Sequence, residues 1–214
     1  MHDRQQRCRT AVPGPGVVTT TRVAWRRSDG VPTDEVCTLT LRESGLSLVG
    51  TVLGAEGGLP LRVEYRILAD PRGYTGAVHV RDLRGFEQRT LELVRDGRGR
   101  WTENGQPAQA LSGCSDVDLG CSPSTNTLPI RRLRLRIGER RTIQAAWVRF
   151  PGLTVEKVAQ AYSRLDERTY HYASGSFEAD LTVDDDGLVT EYGVWRRTAF
   201  AAGPEDSEPL DGRR

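Results

Sequence analysis

Along most of this chain the apolar residues recur at every second position. That period constrains the fold more than any other feature, because only a strand sends successive side chains to opposite faces. Cys37, Leu39 and Leu41 share a face, as do Leu46, Leu48, Gly50 and Val52, and then Leu61, Val63, Tyr65 and Ile67. The alternation continues through Leu91 and Leu93, through Ile143, Ala145 and Trp147, and through Phe177, Ala179, Leu181 and Val183 opposite Glu178, Asp180 and Thr182. Between the runs stand Glu56-Gly57-Gly58, Asp70-Pro71-Arg72-Gly73, Asp96-Gly97, Asn104-Gly105 and Asp186-Gly187. Their Gly and Asn residues accept the positive φ of tight hairpin turns. The pattern predicts an all-β chain, mainly antiparallel, wound as a meander. Two stretches stay open: 153–165, with Val155, Val158, Ala159 and Tyr162, fits either period, and Pro129 could open one short turn of helix.

A chain of 214 residues suits one β domain. The Arg-, Pro- and Gly-rich stretch 1–20 and the tail 201–214 lack periodic apolar residues and are expected to be flexible, leaving 21–200 as a single β body. Thirty basic residues against 29 acidic ones leave a net charge of +1, so no overall field gathers nucleic acid. Cys8, Cys37, Cys114 and Cys121 form no CxxC pair, and His2, His79 and His171 are scattered; neither a metal site nor a cofactor is expected. The arginine-rich start does not read as a signal peptide, and no apolar run reaches the ~20 residues of a membrane span. The expectation is a cytoplasmic protein with reduced thiols and no integral membrane segment.

The short motifs that invite a catalytic or metal reading fit it poorly. Aligning Gly187 with the glycine of a calcium loop puts Thr182 at the first ligand position and Gly193 at the last, so Asp184-Asp185-Asp186-Gly187 reads as a hairpin turn. Asp96-Gly97-Arg98-Gly99 lacks the rest of a dinucleotide fingerprint, and Ser174-Gly175-Ser176 reads as a turn rather than a nucleophile elbow. His79 and His171 lie in strand-like runs without a nearby Cys or Ser. No catalytic residue is assigned.

The densest information runs from Gly113 to Leu133, G-C-S-D-V-D-L-G-C-S-P-S-T-N-T-L-P-I-R-R-L. On a strand Asp116 and Asp118 would share one face and Val117 and Leu119 the other. A polar loop then delivers Arg131 and Arg132. Three readings stand side by side. The carboxylates salt-bridge the arginines while Asn126 or Thr127 caps a turn; or Asp116, Asp118, Asn126, Thr127, Arg131 and Arg132 hold a polyhydroxylated head group; or the paired carboxylates do acid/base chemistry.

This stretch resembles the putative glycolipid-binding family of bacterial proteins, formerly a domain of unknown function. Val23-Ala24-Trp25-Arg26-Arg27, Asp96 to Trp101, Tyr162 to Leu165 and Tyr172 to Asp184 agree in order, so the resemblance covers about residues 22–198. It implies a single curved sheet closing into a barrel-like shape, similar to bacterial lipoprotein carriers, with acyl chains in its concavity. Cys121 and Ser124 stand where a small residue and an aromatic are expected, which thins that lining. The function implied is non-enzymatic binding of an amphiphile, a glycolipid by the family's name, met by peripheral contact at the inner leaflet. Its alternatives are an enzyme on a small polar or sugar-containing metabolite, acting through Asp116, Asp118 and Arg131, and a protein interaction module with a filled core.

Overall fold

The computed structural model of the protein describes residues 16–84 and 88–203. They form one sheet: β1 (Thr19–Arg27), β2 (Asp34–Arg42), β3 (Gly45–Glu56), β4 (Leu59–Ala69), β5 (Thr75–Asp82), β6 (Arg89–Arg95), β7 (Trp101–Glu103), β8 (Gln106–Pro107), β9 (Asp116–Leu119), β10 (Arg140–Arg149), β11 (Thr154–Arg164), β12 (Thr169–Ser174), β13 (Phe177–Val183), β14 (Val189–Tyr192) and β15 (Trp195–Gly203). Helix α1 (Thr127–Leu133) follows a 3-10 turn at Ser124–Asn126. Thr19 and Thr20 open β1 and residues 201–203 close β15; the rest of the two segments expected to be flexible, save 16–18, lies outside the described residues.

Strands β1 to β8 form one arm of the meander and β9 to β15 the other. The first and last strands join them, with Val23 opposite Phe200 and Arg27 opposite Trp195. Trp25-Arg26-Arg27 and Trp195-Arg196-Arg197 thus sit on paired strands. All pairings are antiparallel except β9 with β10, which is parallel with Asp118 level with Trp147. The glycine turns behave as their chemistry requires: Asn104 and Gly105 both take positive φ between β7 and β8, as do Gly57 and Gly58 between β3 and β4. The ambiguous stretch 153–165 is strand β11, and Pro129 does lie in a short helix, α1.

The expected barrel-like closure is not observed. The hydrogen-bonded order ends at β8 and β9, and among the described residues no ladder joins those ends. Strand β8 is two residues long and ends in Pro107, which has no N–H to offer a neighbour. The arms meet elsewhere: the Thr75 N–H donates to Ser115 O at 3.1 Å, and the Val117 N–H to Thr75 Oγ1 at 3.2 Å. What lies in the concavity explains the open edge, since the chain leaving β9 turns inward rather than continuing the sheet.

The core is continuous. Leu39, Leu48, Val63, Ile67 and Leu93 of the first arm join Leu119, Val148, Tyr162 and Leu181 of the second in one buried cluster. Trp25 and Trp101 are buried within it, their indole N–H groups donating to Val189 O at 2.8 Å and Cys114 O at 3.1 Å, so neither leaves a polar atom stranded. Cys37, Cys114 and Cys121 are buried free thiols.

Candidate functional site

The Gly113–Leu133 segment is an internal plug. Every residue from Cys121 to Arg131 is buried, an unusual fate for a loop rich in Ser, Thr and Asn, whose polar groups must find partners or cost several kcal/mol between them. Most find them, on both arms. Ser122 Oγ donates to Glu35 Oε1 of β2 at 2.7 Å, and Ser124 Oγ lies 2.8 Å from the Tyr65 hydroxyl of β4 and 2.6 Å from Ser122 Oγ. On the other arm Thr125 Oγ1 donates to Asp118 Oδ1 at 3.2 Å, and the Tyr162 hydroxyl to Asn126 Oδ1 at 2.9 Å. The plug therefore ties β2 and β4 to β9 and β11 across the concavity. Ser124, in the place expected of an aromatic, serves this network.

Beside the plug lies a cavity of about 880 Å³, within the ~300–1,000 Å³ usual for small-molecule sites. Its walls carry the aromatic rings of Trp147, Tyr172, Phe177, Tyr192 and Trp195. Tyr172 meets Phe177 and Tyr192 edge-on, with ring centroids 6.1 and 5.9 Å apart. Polar groups converge between the rings: Asp118, Asn126 and Ser122 from the plug side, and Gln160 from β11, whose amide donates to Asp118 Oδ2 at 2.6 Å. The small residues Ala159, Ser174 and Gly175 leave the space open. Arg27 and Glu56 also line the cavity, joined at 2.9 Å, with the Arg27 guanidinium 5.9 Å from the centroid of the Trp195 ring.

Two carboxyls in this region are perturbed. Glu35 is fully buried, and the loss of water pushes its pKa from 4.5 up to about 7 against the opposing pull of Tyr65, Ser122 and Ser124. Its Oε1 takes the hydrogen bonds from Tyr65 and Ser122, while Oε2 has no partner. Burial likewise raises Asp118, opposed by its bonds to Gln160 and Thr125. Both groups therefore hold a proton more readily than an ordinary carboxyl.

The structure distributes the six sequence-predicted residues over separate environments. Asp118 and Asn126 line the large cavity. Thr127 is buried in α1 with Oγ1 lacking a hydrogen-bond partner. Asp116 is 1% exposed and forms an ion pair with Arg132 at 2.5 Å, which Ser115 completes. Arg131 is buried and donates to Asp186 O at 2.5 Å. Arg131 and Arg132 also border a second, smaller cavity of about 210 Å³. The Asp116–Arg132 pair is the salt bridge of the first sequence reading. Among the described residues that line the large cavity with Asp118, Arg27 is the one arginine.

Sequence reasoning missed Glu35, Gln160 and the aromatic walls. Two of these carried a signal, since Glu35 stands two residues before Cys37 and Gln160 two before Tyr162, each a polar residue on a face otherwise turned inward. The rings of Trp147, Tyr172, Tyr192 and Trp195 come from four strands, and only the topology brings them together.

Comparison with known proteins gives a consistent result. The family model described as putative glycolipid-binding matches residues 22–197. The crystal structure of a DUF1089 family protein from Pseudomonas aeruginosa superposes with a TM-score of 0.71 at 35% sequence identity, covering 80% of this chain and 95% of that one. No curated protein matches.

Proposed function

Starting from a chain that belongs to the putative glycolipid-binding family, we propose that the protein binds, without transforming it, an amphiphile with a sugar head group in the cavity beside the plug. The observation that carries this reading is the make-up of that cavity. Five aromatic rings surround a few convergent hydrogen-bonding groups, Asp118, Asn126, Gln160 and Ser122. Ring faces and edges suit the C–H faces of a sugar or an alkyl chain, while the carboxyl and amide groups suit its hydroxyls. Each methylene buried against the rings adds about 0.8 kcal/mol. The carrier analogy is modified in one respect. The plug is anchored to β2 and β4, and the ligand lies on the aromatic side, against β10 to β15. We place the protein in the cytoplasm, where its three described thiols stay reduced and its ligand is met at the inner leaflet.

Asp118 favours a second reading, an enzyme acting on a sugar-containing metabolite, because a buried carboxyl with a raised pKa in a cavity is suited to proton transfer. A module that only recruits other proteins needs no such cavity. Titration with octyl glucoside below its micelle threshold, followed by tryptophan emission, separates the readings. The binder predicts saturable quenching that is lost in the Trp147→Phe/Trp195→Phe double variant and weakened in Asp118→Asn, with the glucoside recovered intact. Recovery of free octanol would favour the enzyme. Emission that never saturates would dismiss both.

A further inference from the structure

Most of the charges that line the aromatic cavity are matched within the protein or by water. Arg27 pairs with Asp29 at 2.6 Å and with Glu56 at 2.9 Å, and Glu178 is 65% exposed, with the His171 ring 3.8 Å away. Asp118 differs. Its hydrogen bonds come from neutral donors, Thr125 Oγ1 to Oδ1 at 3.2 Å and Gln160 Nε2 to Oδ2 at 2.6 Å. Each oxygen of a carboxylate has room for a second donor, and this carboxyl lines the cavity.

An ionised carboxyl held by neutral groups away from water is poorly solvated. Burial raises the Asp118 pKa against the pull of Gln160 and Thr125. Burial, and after it the charge of Asp118, raises Tyr172 and Tyr192 as well, so the carboxyl and these two rings share one low-dielectric space. The rings supply the other half of what a cation needs. Tyr172, Phe177 and Tyr192 stand edge-on to one another in a closed triangle, with centroids 6.1, 5.9 and 6.2 Å apart, and Trp147 lies level with Asp118 on the neighbouring strand. The electron-rich faces of Tyr and Trp attract cations. A neutral sugar would use the rings and the hydrogen-bonding groups and leave the charge of Asp118 unmatched.

We propose that the head group bound here carries a protonated amine, as an amino sugar does, with its ammonium on Asp118 among the rings of Trp147, Tyr172 and Tyr192. The inference rests on the sugar-amphiphile reading of this cavity and narrows it. The ammonium donates to the remaining lone pairs of Oδ1 and Oδ2 and replaces the solvation that burial removes. Such a charge-assisted bond is about twice as strong as one between neutral groups. The same carboxyl repels an anionic head group.

The test is calorimetric titration of the full chain with octyl 2-amino-2-deoxyglucoside and with octyl glucoside, each below its micelle threshold. The two differ in an amine for one hydroxyl. The amine is protonated at about pH 6 and neutral at about pH 9. At the lower pH the amine-bearing glucoside is expected to bind about tenfold or more tightly than octyl glucoside; at the higher pH the two should bind alike. Glu35, whose proton also leaves in this window, reaches the cavity through Ser122 and bears on both glucosides alike. In Asp118→Asn the preference should vanish at the lower pH too, whatever the variant does to affinity for both. Equal binding of the two glucosides to the parent at the lower pH overturns the amine and leaves the sugar-amphiphile reading standing. A preference that survives at the higher pH or in Asp118→Asn also overturns it. If neither glucoside saturates, both readings fall.

Discussion

Replacing Glu35 by Gln tests the energetics of the plug at its most sensitive point. The folded protein raises the Glu35 pKa from 4.5 to about 7, and at 1.36 kcal/mol per pH unit that rise amounts to about 3 kcal/mol. Because the folded chain binds this proton more tightly than the unfolded one, the stabilisation is complete below pH 4.5 and is lost as pH rises through 7. Gln imitates the protonated form. Its carbonyl can accept from Tyr65 and Ser122, and its NH₂ occupies the place of Oε2, which has no partner. Urea denaturation at closely spaced pH values measures the difference between variant and parent. Asp118, whose pKa is also raised, tilts both curves alike and cancels. The variant should match the parent within about 1 kcal/mol near pH 4.5, and its advantage should grow by about 3 kcal/mol by pH 8. A difference that stays flat across this window would refute the assignment of a buried, proton-binding carboxyl to Glu35.

Gly50 faces Tyr65 across β3 and β4, and a Cβ there would lie 2.3 Å from the Tyr65 hydroxyl. Gly50→Ala should therefore lower stability by about 1–3 kcal/mol and, by displacing Tyr65, whose hydrogen bond opposes the rise of the Glu35 pKa, steepen the pH dependence just described; equilibrium denaturation reads both. Asp116→Ala leaves Arg132, itself largely buried, without its carboxylate. A loss of about 3–5 kcal/mol in denaturation is expected, with octyl glucoside binding retained by whatever fraction stays folded.

Much of the fold was legible because a strand with one dry face writes itself as alternation. Leu61, Val63, Tyr65 and Ile67 do face inward, and Asn104-Gly105 does turn a hairpin. Strand β11 was ambiguous since Val155 and Val158 are only half-buried, Val155 packing on the edge of the core and Val158 lining the cavity. The open edge at β8 and β9 escaped notice because it depends on where the plug goes, and a polar loop of Ser, Thr and Asn looks like surface. Its burial becomes intelligible only through partners as remote in sequence as Glu35 and Tyr162. For the same reason the six predicted residues, which lie within 17 positions of one another in sequence, fall into an ion pair, a helix and two cavities in space.

Whether the aromatic cavity holds a sugar-headed amphiphile can be read by native mass spectrometry of the full chain purified from its own host, followed by organic extraction. A discrete adduct that extracts as a glycolipid and is missing from the Trp147→Phe/Trp195→Phe variant is expected. A bare mass that stays unchanged after incubation with a total lipid extract would contradict it.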